Sequence, residues 1–262
     1  MEAWLTAARM NDIPTLTRLA PIYLSSTHNN QTALMLACRS NNFEAAEFLL
    51  AEKDILDDQD RSALFYTQTP RIANLLLSIA SIPDRSGTTP PHHFAVQQNV
   101  QVCRVFFEYA LLRDTKGRTP LHIAAELGNF EICEIFSEAI GAKDDEGKAA
   151  LLGAVAGGFV EICRFLSSEV DEMSLRFASF SDQEILEILV GKIEDPMAIS
   201  ADTRQLVFEK LGLKGWGQFN GEQDGEIQVD EDVEFEAIRR QIIANQEKLD
   251  MQDQSEFKVE FE

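Results

Sequence analysis

Cys103, Cys133 and Cys163 stand thirty residues apart. Sulfur ligands repeated at a fixed step would suit a metal site or a redox relay, because both need thiolates brought together. His92 and His122 are also thirty apart, with His93 beside the first. Histidine is the side chain that moves protons near neutral pH, so this pair invites an acid–base reading. The chain has four cysteines and four histidines in 262 residues, so little else could supply such chemistry. What these residues can do depends on the elements that hold them.

Residues 119–136 read TPLHIAAELGNFEICEIF. Thr119-Pro120 is a helix start: Thr caps free amides and Pro fills a first-turn position that needs no donor. Gly128 is a stop, because glycine enters the left-handed region without steric cost. A second apolar run, Phe130 to Phe136, then returns antiparallel to the first. The unit recurs. Thr89-Pro90, His92, Ala95, Cys103 and Phe106 precede it; Ala149-Ala150-Leu151, Gly158, Cys163 and Phe165 follow it. Earlier copies run from Thr32 to Leu50 and from Ser62 to Leu77, and the N-terminus fits the same register from Glu2. The starts at 2, 32, 62, 89, 119 and 149 give steps of 30, 30, 27, 30 and 30. Such self-similarity predicts stacked helix–turn–helix repeats.

Each copy is preceded by a turn. The residue five before the capping position is Asp57, Asp84, Asp114 or Asp144, with Thr27 in the first full copy. The residue two before the cap is Asn30, Asp60, Gly87, Gly117 or Gly147, all suited to a left-handed turn. In this register the cysteines occupy one apolar position of the outer helix. Packed helices lie roughly 8–10 Å apart, whereas a disulfide wants Cα atoms within about 7 Å. Cys103, Cys133 and Cys163 therefore read as small core residues, and so does Cys38 of an inner helix. No nucleophile–base pairing, phosphate loop or zinc-spaced cluster is visible. Gly157-Gly158 is the helix reversal of its unit.

The stretch DTKGRTPLHIAAELGNFEICEIF (114–136) resembles the ankyrin repeat family and its pattern Asp-x-x-Gly-x-Thr-Pro-Leu-His-x-Ala-Ala-x-x-Gly. The likeness is good at 84–107 and 27–50, weaker at 57–77 and 144–166, and covers about 1–170 with a capping unit at 2–20. The resemblance implies an all-α solenoid of stacked helix–turn–helix units, with a C-terminal helical extension and acidic tail added by this chain. Units begin near 2, 27, 57, 84, 114 and 144. It implies a structural role for His92 and His122, which tie adjacent repeats together. His93 stands where the family usually has an apolar residue and is either core or partly exposed; His28 is a solvated turn residue.

The resemblance also implies where a partner binds: the turn tips and the exposed side of the inner helices, which form a concave face. Carried onto this chain, the tips include Arg61; Arg85, Ser86 and Thr88; Thr115, Lys116 and Arg118; and Asp145, Glu146 and Lys148. The inner helices add Arg39, Val96 and Gln97, and Glu126 and Leu127. Arg61, Arg85, Lys116, Arg118 and Lys148 would form a modest basic stripe, or simply a solvated polar edge. The missing three residues fall in the unit at Ser62, where Thr69-Pro70 offers a fresh outer-helix cap. That shortening reads either as decay of the repeat or as a notch that shapes a binding surface.

Residues 171–214 read as a degenerate capping repeat plus a helix capped by Ser200. Residues 215–232 read as an acidic linker and 233–262 as a helix with a frayed end. The stripe Phe235, Ile238, Ile242, Leu249 suits either docking on the array or a partner-binding helix. Net charge is −21, and residues 216–262 hold 14 acidic and 4 basic side chains, hence −10. Phosphate binding needs a basic surface, so nucleic acid is not an expected ligand. The start lacks a basic leader with an apolar core, no eighteen-residue apolar run exists, and cysteines are few. The expectation is a cytoplasmic or nuclear protein without membrane insertion, with no cofactor, metal or catalytic residue. The leading function is a non-enzymatic adaptor or scaffold binding a protein partner. One alternative is an inhibitor or assembly chaperone whose acidic tail engages a basic client, or the chain's own basic stripe. The other is an enzyme whose activity lies in 171–262, a segment without His or Cys.

Overall fold

A computed structural model of the chain describes residues 1–180, 182–193 and 199–211. The linker at 215–232, the helix and end at 233–262 and the acidic tail lie outside the described residues. The chain divides into two compact units, Met1–Ala150 and a second that begins at Leu151.

In the first unit, α1 (Glu2–Met10) and α2 (Ile13–Tyr23) are followed by α3 (Ala33–Arg39) and α4 (Phe43–Phe48). A single 3-10 turn, Ala63–Tyr66, then stands in the place of an inner helix before α5 (Pro70–Leu75). Next come α6 (Pro90–Val96), α7 (Val100–Cys103) continuing as a 3-10 segment to Tyr109, α8 (Pro120–Glu126) and α9 (Phe130–Ile135). Two layers result. α1, α3, the 63–66 turn, α6 and α8 pack in sequence as the inner layer; α2, α4, α5, α7 and α9 pack as the outer one. Helices this short are marginal alone, so their stability comes from the faces they bury. Leu34, Met35, Leu36, Ala37 and Cys38 are all buried along α3, and only its end at Arg39 and Ser40 reaches solvent.

Polar side chains finish the ends. Thr32 caps α3 by accepting from Met35 N (3.2 Å), and Asn99 and Asn129 cap α7 and α9 by accepting from Val102 N and Ile132 N (3.2 and 3.1 Å). The reversal between inner and outer helices passes through a left-handed residue at Asn11, Asn41, Gln98, Gly128 and Gly158. The unit at 57–77 has no such residue between its inner turn and α5, because its inner helix ends one turn early. The buried Glu52 carboxylate accepts from Leu34 N (2.9 Å) and Ser25 N (3.1 Å), so it holds the start of α3 and the loop before it.

α10 (Ala150–Gly157) opens at the boundary between the units. The second unit continues with α11 (Val160–Phe165), α12 (Glu172–Phe180), α13 (Gln183–Val190) and α14 (Ala201–Lys210). Glu169 accepts from Leu151 N (2.9 Å), repeating the Glu52 contact at the same sequence offset. α13 packs on α11 and on α12, and α12 packs on α14. Leu175, Ala178, Ile185, Leu186 and Leu189 supply that core. Ser200 caps α14 by accepting from Thr203 N (3.4 Å), and Glu172 accepts from the Thr203 hydroxyl (2.8 Å).

Candidate protein-binding face

The tips are built by their aspartates. Asp57 Oδ1 accepts from Gln59 N and Arg61 N, Asp84 Oδ1 from Ser86 N and Thr88 N, and Asp114 Oδ1 from Lys116 N and Arg118 N. Asp144 Oδ1 does the same with Glu146 N and Lys148 N. One carboxylate oxygen thus organises each hairpin. Burial alone would raise the Asp114 carboxyl, but the bonds from Lys116 and Arg118 outweigh it and hold the group below its ordinary range. Neighbouring tips are also joined: Arg85 N donates to Gln59 O (2.8 Å), Thr115 Oγ1 to Ser86 O (3.2 Å) and Asp145 N to Lys116 O (3.0 Å). Gly117 sits at φ +72°, and a Cβ there would fall 2.2 Å from Asp145 Oδ1, so both handedness and space require glycine.

The structure gives the predicted face residues distinct settings. Arg39, Arg85, Ser86, Val96, Gln97, Thr115, Lys116, Glu126 and Leu127 are exposed, as are Asp145 and Glu146. Arg61, Thr88, Arg118 and Lys148 are half-buried. The cations do not form a continuous free stripe. Arg61 pairs with Asp57 (2.9 Å), Arg85 with Asp60 (3.1 Å) and Lys148 with Glu146 (2.6 Å). Arg118 pairs with both Asp114 (2.9 Å) and Glu126 (3.3 Å). Arg61, Arg118 and Lys148 pair with acids of their own units and Arg85 with an acid of the preceding tip, so most of the edge alternates in sign. Apolar surface interrupts it at the inner-helix ends, where Val96 is 57 % and Leu127 39 % exposed.

The shortened unit leaves a cleft of about 240 Å³ between the ends of α3 and α6. Arg39, Arg61 and Gln97 meet there with four residues that the sequence did not single out for binding: Phe65, Tyr66, Thr67 and Gln68. His93 completes the lining. Arg39 and Arg61 lie over the Tyr66 ring, 4.6 and 5.0 Å from its centre. The Tyr66 hydroxyl donates to Asp57 Oδ2 and accepts from Arg61 Nη2 (2.7 Å). Burial and that bond to Asp57 raise the phenol's pKa. His93 lies edge-on to Phe65 and Phe94, and burial, with the Arg61 charge, lowers its pKa. A tyrosine at the site of a lost helical turn was the available signal for this cluster.

His92 and His122 are committed to the framework. The His122 Nδ1 accepts from Thr119 N (3.2 Å), which makes a reciprocal cap at the start of α8. Its Nε2 then donates to Lys148 O (3.1 Å), and His92 Nε2 reaches Arg118 O (2.7 Å) in the same way. Each ring spans from its own unit to the next turn. Burial lowers both pKa values, against the opposing pull of the carbonyl bonds. All four cysteines are free and buried. Burial pushes the thiols of Cys38, Cys103 and Cys163 up to about 12, so they are poor thiolates. Among the described residues no three His, Cys, Asp or Glu gather as a metal-binding group, and no helix is long and apolar enough to cross a membrane.

The family model for ankyrin repeats matches residues 4–78 and 66–143, in three copies. The chain belongs to the ankyrin repeat family. No curated protein matches it. A solved structure with the same fold is the crystal structure of the ankyrin repeat domain of Bcl-3, described as a unique member of the IkappaB protein family. It has a TM-score of 0.64 at 18 % identity and covers 71 % of this chain and 97 % of that one. Ankyrin repeats are protein-interaction modules, and the partners they indicate here are proteins. The buried His92, His122 and cysteines and the turn aspartates are thus the ankyrin framework of this chain, and its individuality lies in the tips, the inner-helix ends and the cleft.

Proposed function

We propose that this ankyrin chain is a non-enzymatic adaptor that binds a protein partner through its tips and inner-helix ends. The observation that carries the reading is the exposure of Val96 and Leu127 beside polar tips, in a framework whose other apolar inner-helix residues are mostly buried. Apolar anchors with a rim of alternating charge have the anatomy of a protein interface. Arg39, Arg85, Thr115 and Lys116 supply the rim; Ser86, Thr88, Asp145 and Glu146 extend it. The place of action on this reading is the cytoplasm or nucleus.

Affinity capture tests the proposal. Val96→Glu with Leu127→Glu should abolish capture of a partner that the unaltered chain retains. Retention by that variant contradicts the proposal. A second reading, an inhibitor or chaperone for a basic client, rests on the −10 carried by residues 216–262. Its signature is capture of basic proteins that needs 216–262 and falls with salt. Capture by residues 1–211 at physiological salt speaks for the adaptor.

A further inference from the structure

The cleft at the shortened repeat exists because three residues are missing, and Arg39, Gln68 and Gln97 of its lining are exposed. With a full inner helix, the last turn would occupy the space between Arg39 of α3 and His93 and Gln97 of α6. The 63–66 turn stops short, and Phe65, Tyr66 and Thr67 become a floor.

The two guanidiniums on this floor differ. Arg61 already has its counter-ion: its Nε donates to Asp57 Oδ2 (2.9 Å) and its Nη2 to the Tyr66 hydroxyl (2.7 Å). Arg39 touches the Tyr66 ring and pairs with no carboxylate among the described residues. Stacking occupies the face of a guanidinium and leaves its edge donors available, and that fork matches a carboxylate. The Asp57 carboxylate that holds the Tyr66 hydroxyl is paired with Arg61, and, the two guanidiniums apart, the polar groups of the lining are neutral. Gln97 Nε2 donates to His93 Nε2 (2.9 Å), and the other His93 nitrogen bonds the Phe65 backbone. Gln68 adds an exposed amide. At about 240 Å³ the cleft is smaller than the roughly 300–1,000 Å³ of small-molecule sites. One side chain fits better than a cofactor. One available guanidinium, in a chain of net charge −21, selects a monoanion over a phosphate dianion.

We propose that the cleft is a pocket for one Asp or Glu side chain of the bound partner, held by the edge of Arg39 above Tyr66. This deepens the adaptor reading and rests on it: the deletion becomes the part of the face that reads a charge, beside the apolar anchors at Val96 and Leu127.

Random-peptide display on the full chain tests it, with binding of the selected peptides then measured in solution. The selected peptides should share one Asp or Glu. Changing that residue to its amide, or Arg39→Gln in the chain, should each weaken binding about tenfold, the scale of one charge-assisted hydrogen bond. The two changes together should cost little more than either one. Arg39→Lys, which keeps charge but not the fork, should weaken binding too and guards against misfolding of the first variant. Equal affinity for Arg39→Gln overturns the pocket, while loss on Val96→Glu would still uphold the wider face. Tighter binding of a phosphoserine version overturns the carboxylate assignment. No peptide binding at all overturns both.

Discussion

Asp114, His122 and Gly117 show how much a single residue settles in this chain. Asp114 gathers two tip amides, and His122 joins the cap of α8 to the next turn's carbonyl. Gly117 meets two requirements at once. Gly117→Ala should therefore destabilise the chain by more than Gly147→Ala, whose Cβ meets nothing within 4 Å at φ +79°. The open site should cost about 1–2 kcal/mol from handedness alone, and urea unfolding of both variants compares them. The histidines give a pH signature. His92 and His122 have lowered pKa values in the fold, so the unfolded chain binds more protons as pH falls below about 6.5. Their contribution is complete above that value and is lost as the pH falls through the lower folded-state values. Urea midpoints of the unaltered chain should fall between pH 7.5 and 5.5, and His92→Asn with His122→Asn should flatten the fall. These roles were legible in the sequence, because a repeated residue at a fixed step has a repeated job. The partners of the tip cations were not. Arg61 and Arg118 each return to an aspartate four residues earlier across a hairpin, a pairing that helix spacing does not reveal.

At the scale of elements, the short inner turn at 63–66 and the start of α5 after Thr69 follow from the 27-residue step, although the Thr69 hydroxyl donates to Asn41 Oδ1 (2.6 Å) instead of capping the helix. The cleft's lining does not follow, because it depends on where α3 and α6 end in space. Restoring three residues after Tyr66 should extend the turn into a helix, fill the cleft and remove acidic-peptide binding while the chain stays folded; circular dichroism and peptide binding together check this. The helix pair α12–α13 shows the other limit. Its apolar spacing was readable from Leu175 to Val190, but its packing on α11 required the structure. Ending the chain at Val170 should expose the apolar residues that α11 buries against α13, lower the melting temperature and promote aggregation, read by thermal melts and light scattering.

The molecule as a whole combines a framework that is common to the ankyrin family with a face that is its own. Histidines and cysteines, the residues best suited to chemistry, are used inside the framework, and burial keeps those thiols protonated and those imidazoles neutral. The surface that remains is apolar at Val96 and Leu127, charged in alternation at the tips, and notched at Tyr66. Charge alone is a poor guide to that surface. The sequence left open a basic stripe or a solvated polar edge at Arg61, Arg85, Lys116, Arg118 and Lys148; ion pairing leaves only Lys116 of these, and Arg39 beside the cleft, without carboxylate partners among the described residues. The most direct test uses two sites of matched exposure on opposite layers: Val96 at 57 % on the inner layer and Phe107 at 56 % on the outer one. A photo-crosslinking residue placed at each, in the full chain incubated with cell extract, should capture a partner from position 96 and not from position 107. Capture from 107 alone would contradict the account.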